Sequence, residues 1–308
     1  MLFSKKIFFL FNIISVFAFG QVGSFSRIGS GAFNVGNGNS IHSNIFYSNP
    51  DFSNPAILPF LNSSNLNLTT NFLSLDRNLN IVSFNSNIKP SAGFGLTAII
   101  SGVNNIDGRD KDGFHTENYS TMENQFILSF GNKFKNKFSI GINAKILYAK
   151  LFNDLTSTTL GFDFGTIYKI NENNILGFVI KDVNSTYKWD TSNLYQESGN
   201  STENIFPTVS TFSFTHSEKD FTLSTEIEKL NFVNDIFYRI GGTYNFDLFQ
   251  FYAGLDNFTF KKVNKTTFAS GFRIESFPYL KNVNLEYTFA TEPFNLFSRH
   301  VITIIYQL

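Results

Sequence analysis

The amino-acid sequence predicts an all-β protein: a transmembrane antiparallel β-barrel of about fourteen strands, preceded by a segment that folds into it as a plug. Three observations lead there. Apolar and polar side chains alternate with period two over most of the chain, whereas apolar spacings of three and four are scarce. The alternating runs are mostly 10 to 14 residues long. That suits strands tilted across a membrane (~9–11 residues) better than soluble strands, which average about five or six. Short connectors, such as 132–136 and 171–174, alternate with longer ones at 104–118 and 190–206, the habit of a barrel with turns at one rim and loops at the other.

Composition excludes other classes. The 308 residues carry 24 basic and 24 acidic side chains, and charged residues make up 16%, below the ~25% of soluble domains. A neutral chain without basic runs is no nucleic-acid binder. Cysteine is absent, which removes disulfide frameworks, zinc ribbons and thiol catalysis. Aromatics reach 17%, with 40 Phe, too apolar for a disordered chain.

Residues 1–20 read as a signal peptide. Lys5 and Lys6 precede an apolar stretch from Ile7 to Phe19, and Ala18-Phe19-Gly20 offers small residues for cleavage before Gln21. The expected location is the cell outer membrane, reached by export. Residues 21–64 form the expected plug, and residues 65–308 the barrel.

The strands are expected near 65–75, 79–88, 92–103, 119–130, 137–150, 157–170, 175–188, 207–216, 220–230, 235–246, 249–258, 266–275, 282–291 and 299–308. In the fifth, Phe138, Ile140, Ile142, Ala144, Ile146 and Tyr148 share one face, opposite Ser139, Gly141, Asn143, Lys145, Leu147 and Ala149. In hydrocarbon every backbone N–H and C=O needs a partner, so a membrane sheet must close on itself. Large apolar side chains then face lipid, and small or polar ones the lumen. A soluble sandwich is the alternative, but it would have to bury too many Phe. Tyr148, Tyr168, Tyr238, Tyr252 and Tyr306, with Tyr187 and Trp189, suit interfacial girdles. Ile302, Ile304, Tyr306 and Leu308 end the chain much as barrel insertion signals do.

The same parity puts Lys145, Lys181, Arg239, Arg273 and Arg299 in the lumen, with Asp163, Glu226, Glu228, Asp256 and Glu286. Equal numbers of each sign favour ion-pair networks that fill the interior over a charge-selective filter.

The segment before the first strand is rich in Gly, Ser and Asn, runs through Phe46-Tyr47-Ser48-Asn49-Pro50, and ends in Asn54-Pro55-Ala56-Ile57-Leu58. This order, followed by a long strand, resembles the FadL-like barrels and within them the PorV/PorQ family. The resemblance continues through Asp110-Lys111-Asp112-Gly113, Ser139 to Lys145, Leu160 to Gly165, Tyr187 to Ser192, Phe206-Pro207 and His300. It implies fourteen strands with an N-terminal plug containing Asn54, Pro55 and Ala56. It also implies a non-catalytic shuttle or accessory role in type IX protein secretion, with the translocon and secreted cargo as partners. The wider family implies an alternative, a channel for hydrophobic small molecules, for which Gly93, Gly95 and Gly102 would kink the third strand.

Chemistry is sparse. His42, His115, His216 and His300 lack metal-ligand spacing. No G-x-S-x-G elbow or phosphate loop occurs. Asp107, Asp110, Asp112 and Gly113 lack the full calcium-loop pattern and read as a solvated turn. No enzyme activity, cofactor or metal is expected.

Overall fold

The computed structural model describes residues 22–47, 52–151, 155–192, 199–259, 266–275, 282–292 and 298–308. The expected signal peptide therefore lies outside the described residues. Fourteen strands close an antiparallel barrel: β1 (Asn65–Phe72), β2 (Arg77–Ile88), β3 (Ala92–Arg109), β4 (His115–Phe134), β5 (Phe138–Lys150), β6 (Thr156–Lys169), β7 (Asn174–Val183), β10 (Val209–Glu218), β11 (Phe221–Leu230), β12 (Ile236–Phe246), β13 (Phe249–Phe258), β14 (Thr267–Ile274), β15 (Val283–Ala290) and β16 (Arg299–Gln307). Neighbours in sequence pair around the ring, and β1 pairs with β16 to shut it. Between β7 and β10, β8 (Thr186–Asp190) and β9 (Ser201–Ile205) form a separate two-stranded sheet.

The period-two pattern sets the two faces. On β4, Phe126, Leu128 and Phe130 are exposed, while Gln125, Ile127 and Ser129 are buried. On β1, Leu66 and Leu68 point out, and Asn65, Asn67 and Thr69 are buried. An apolar outer wall over a polar interior inverts a soluble protein. It is stable only where the surrounding medium is hydrocarbon, so the barrel is transmembrane.

Two rims differ. At the near rim, where β1 begins and β16 ends, turns such as those joining β4 to β5 and β10 to β11 are tight. At the far rim the longer connection 104–118 is mostly strand: β3 and β4 pair on to Arg109 and His115 after a bulge between Val103 and Ile106. The 20 residues of β4 exceed what a tilted crossing of a ~30 Å core requires. The outer part of the hairpin, exposed on both faces, stands clear of the membrane. Parity alone cannot tell membrane strand from its solvated extension, because both keep the ladder.

Two other expectations are corrected. The seventh strand stops at Val183 rather than running to 188, because Asp182 and Asn184 take positive φ (60° and 58°) and turn the chain inward. Tyr187 and Trp189 consequently leave the expected girdle and bury against Phe206, Leu147 and Ala149 inside the far mouth. Tyr252 is also buried in the lumen, on the same side of β13 as Asp256.

Candidate functional site: the lumen and its N-terminal segment

Residues 22–47 and 52–61 thread the barrel lengthwise. Gly23 touches Phe206 at the far mouth, and Phe60 lies beneath Lys133 at the near rim, with the ammonium 5.5 Å from its ring centroid. Between them the segment makes only short turns: Ser24–Arg27, a five-residue helix at Ala32–Gly36, and a 3-10 turn at Pro55–Phe60. Pro55 fits the start of this last turn, where a missing N–H costs nothing. Asn54 caps it, its Oδ1 accepting from the Ala56 N–H at 3.0 Å. Its Nδ2 donates to the His42 carbonyl at 2.6 Å and the Thr166 carbonyl at 3.3 Å. Asn54 and Ala56 are wholly buried, so the Asn-Pro-Ala triplet joins segment to segment and segment to wall.

A glycine row on the inner wall receives that turn. Gly93, Gly131, Gly141 and Gly165 are cross-strand partners on β3 to β6. A Cβ at any of the four would overlap the Asn54–Pro59 stretch. Four missing side chains in register let one backbone lie flat against another. The pairing of β3 with both neighbours is unbroken from Ala92 to Val103, so Gly93, Gly95 and Gly102 do not break the ladder as a kink there would. Gly93 is a seat for Leu58. Gly241 and Gly254, partners on β12 and β13, receive Asn37 in the same way.

Charged wall residues hold the rest of the segment through three ionic centres. In the first, Lys145 Nζ lies 2.5 Å from both Asp163 and Asp182. Asn143 bridges Asp163 to the Phe52 carbonyl, donating 2.8 Å to the latter and 2.9 Å to the former. In the second, Arg239 forks onto Glu228 at 2.5 and 2.9 Å and meets Asp256 at 2.6 Å. Asn39 donates to Asp256 at 2.8 Å. Glu226, 3.6 Å from Arg239, accepts the His42 backbone N–H at 2.7 Å and bonds its Nδ1 at 2.9 Å. In the third, Glu286 accepts from the Tyr47 hydroxyl and from the Phe33 N–H, with Arg273 at 3.9 Å and stacked 5.4 Å from the Tyr47 ring. Buried charges need partners, and here the partners include the segment's own amides and side chains.

Lys145, Asp163, Glu226, Glu228, Arg239, Asp256, Arg273, Glu286 and Arg299 are buried on inner faces. Lys181 shares the inner face as well: it pairs with buried Val209 and lines, half-buried, a small cavity of about 40 Å³, and its neighbour Asp182 joins the network beside it. A register shift between β6 and β7, at Phe162/Phe164, offsets the parity by one residue. Asp182, His42 and Tyr47 are thus functional contacts that alternation does not reveal, because a bulge and an irregular segment carry no period.

Apolar patches interleave with these charges on the inner wall. Leu79, Ile81, Ile99 and Ile127 of β2, β3 and β4 form a buried cluster with Phe25 and Phe52 of the segment. Beside it, at the far mouth, lies a cavity of about 380 Å³ lined by Ile28, Leu230, Phe237 and four arginines. A polar cavity of about 700 Å³ faces the near rim around Asn62, Lys133 and Lys169.

Asp110 and Asp112 sit in an exposed turn, and Asp107 near the end of β3. Asp110 Oδ1 accepts the N–H groups of Asp112 and Phe114 at 2.9 Å each. Asp107 binds Arg109 and His115 at 2.6 and 2.7 Å. His216 bonds Asn174 at 2.8 Å and His300 bonds Tyr287 at 2.7 Å. No cluster of potential metal ligands occurs among the described residues.

No family model and no curated protein matches the chain. Solved structures do. The chain is similar to the CymD monoaromatic hydrocarbon channel, with a TM-score of 0.66 at 14% identity over 91% of this chain and 97% of that one. It is similar to the Ralstonia pickettii toluene transporter TbuX, with 0.64 at 11% over 92% and 99%. A Pseudomonas aeruginosa FadL homologue scores 0.63 at 11% over 90% and 98%. At such identities the likeness is one of fold, and the fold is a FadL-like barrel.

Proposed function

We propose that the chain is an outer-membrane channel for hydrophobic small molecules, exported with residues 1–20 as a cleaved signal and with residues 21–64 as a plug. The observation that carries this is the apolar inner-wall cluster. Leu79, Ile81, Ile99 and Ile127 make a continuous apolar patch of inner wall across three strands, and Phe25 and Phe52 of the segment cover them. An apolar surface inside a barrel stabilises apolar matter there, and aromatic side chains are stand-ins for an aromatic solute. The solved barrels of the same fold include channels described for monoaromatic hydrocarbons and toluene, which supports the same class of cargo. The ionic centres hold the plug so that ions and polar solutes do not leak. A non-enzymatic role accords with this design.

The test is uptake of radiolabelled toluene by cells whose outer membrane carries intact lipopolysaccharide, which slows apolar solutes. Cells expressing the full chain should take up toluene several-fold faster initially than cells without it. Equal rates at verified membrane levels of the barrel would refute the channel.

The PorV/PorQ-like reading, an accessory of type IX secretion that binds translocon and cargo, draws on a different feature. The β3–β4 extension and the fully exposed β9 project from the far rim as surfaces for proteins. Affinity capture from native outer membrane tests it, with recovery of a translocon subunit as the supporting result.

A further inference from the structure

We propose that the outer wall of β2 to β5 holds an anionic phospholipid of the periplasmic leaflet. Its phosphate lies against Lys89, Lys135 and Lys137, and one acyl chain fills a groove floored by Ala98 and Ala144. The site faces the membrane and not the lumen, so it stands apart from the solute-channel reading.

Charge points to the headgroup. Among the described residues the near rim divides by sign. The turns joining β2 to β3, β4 to β5 and β6 to β7 gather Lys89, Lys133, Lys135, Lys137 and Lys169 around a single carboxylate, Glu172. Across the barrel, the turns after β10 and β12 and the end of β14 carry Glu218, Asp220, Asp247 and Glu275 with one lysine, Lys219. Lys169 pairs with Glu172 at 2.9 Å, and Lys133 covers the Phe60 ring. Lys89, Lys135 and Lys137 are exposed, and none forms an ion pair among the described residues. Their turns adjoin, because the Lys133 N–H donates to the Ser91 carbonyl at 2.8 Å. Short turns mark the periplasmic side of such a barrel, and ammonium groups at headgroup level attract anionic lipid.

Shape points to the chain. Below the same turns, the register sets Ala98 between Val82 and Phe126, and Ala144 between Leu128 and Phe162. Methyl groups flanked by long side chains leave a groove of about 640 Å³ with an almost wholly apolar lining. Leu96 and Ala98 lie four and six residues beyond Ala92, the near-rim start of β3. At ~3.3 Å per residue and a tilt of about 40°, the groove sits roughly 10–15 Å below the rim. A leaflet contributes about half of the ~30 Å hydrocarbon core, so a chain whose headgroup lies at the rim reaches this depth. The medium supplies the apolar chain, and the lysines select its headgroup by sign.

Lipid retention by the full chain tests the site. The barrel is reconstituted in vesicles of equal parts phosphatidylglycerol and phosphatidylcholine with the same acyl chains. It is then extracted in mild detergent, and the lipids it keeps are read by native mass spectrometry. Wild type should keep phosphatidylglycerol about tenfold over phosphatidylcholine, the order that one or two lysines near an anionic lipid supply. The triple variant Lys89→Gln, Lys135→Gln and Lys137→Gln should lose the preference. Ala144→Phe, which fills the groove, should cut retention of both lipids several-fold. Equal retention in wild type overturns the site without any variant, so a misfolded variant leaves it testable. A preference that survives in the folded triple variant, or unchanged retention in folded Ala144→Phe, overturns it too. Excess glycerophosphoglycerol, the headgroup without chains, should not strip the lipid. If it does, the rim binds a free phosphate group and the lipid site falls. A lipid-free dimer mass would assign the groove to a second copy and also overturn the proposal.

Discussion

Glu226→Ala is expected to free the middle of the N-terminal segment without unseating its end. Glu226 takes the His42 backbone N–H at 2.7 Å and the ring Nδ1 at 2.9 Å, and both residues are buried. A hydrogen bond to a charged group contributes roughly 1.5–3 kcal/mol, so two lost bonds amount to about 3–6 kcal/mol. Arg239 keeps Glu228 and Asp256, so no unpaired charge is added. Opening of the His42 region should therefore become at least about a hundredfold more frequent, at ~1.4 kcal/mol per factor of ten. Hydrogen exchange in detergent micelles reads this directly. The His42 amide should lose about two orders of magnitude of protection, while amides of Ala56 to Leu58, held by the glycine row, should not change. Glu226→Gln, which keeps an acceptor oxygen, should lose less. Unchanged protection at His42, or an equal loss at Ala56 to Leu58, would refute the idea that the ionic centres and the glycine row hold the segment separately.

Other expectations follow from the same contacts. Gly141→Val places a branched side chain where the Pro55 carbonyl carbon and the Ala56 nitrogen lie. It should lift the 3-10 turn at a cost of about 1–3 kcal/mol, and planar-bilayer recordings should then show conducting openings more often than in wild type. Phe126→Arg, on the outer wall midway along β4, should destabilise the barrel by ~2–4 kcal/mol in urea titrations from lipid vesicles, whereas Asn118→Arg on the solvated extension should change little. At the β3–β4 tip, hydrogen bonds from His115 and then Arg109 hold the exposed Asp107 carboxyl below the usual carboxylate range. A lowered folded value means the tip's order is present above the unfolded Asp value of ~3.9 and fades as pH falls through the lowered one. Exchange rates at the tip compared at pH 6 and pH 3 check this, and Asp107→Asn should abolish the difference.

Much of the fold was legible because a membrane sheet allows few choices. Alternation assigns an inside and an outside to each strand, and closure follows from backbone hydrogen bonding. Leu66 and Leu68 on the outer wall, or Asn143 and Lys145 inside it, have no alternative when the outer medium is hydrocarbon. Asn54-Pro55-Ala56 is singled out by resemblance alone, and the structure supplies its physical reason, a cap followed by proline at the first helical position.

What alternation could not carry lies wherever its period breaks. The bulge between Phe162 and Phe164 brings Asp182 into the Lys145 centre although its neighbour Lys181 also faces inward, since one extra residue breaks the parity. The inward turn at Asp182 and Asn184 takes Tyr187 and Trp189 from the expected interface into the mouth. The sequence by itself therefore determined the strands, their faces and the barrel, all consequences of local periodicity in a two-sided medium. Only the tertiary structure decided which distant groups meet: His42 with Glu226, Tyr47 with Glu286, and the Asn54 turn with four aligned glycines. Those encounters, with a contact of Arg299 to the Ile28 carbonyl among them, depend on how an aperiodic segment threads a closed wall, and no repeat in the chain encodes that path.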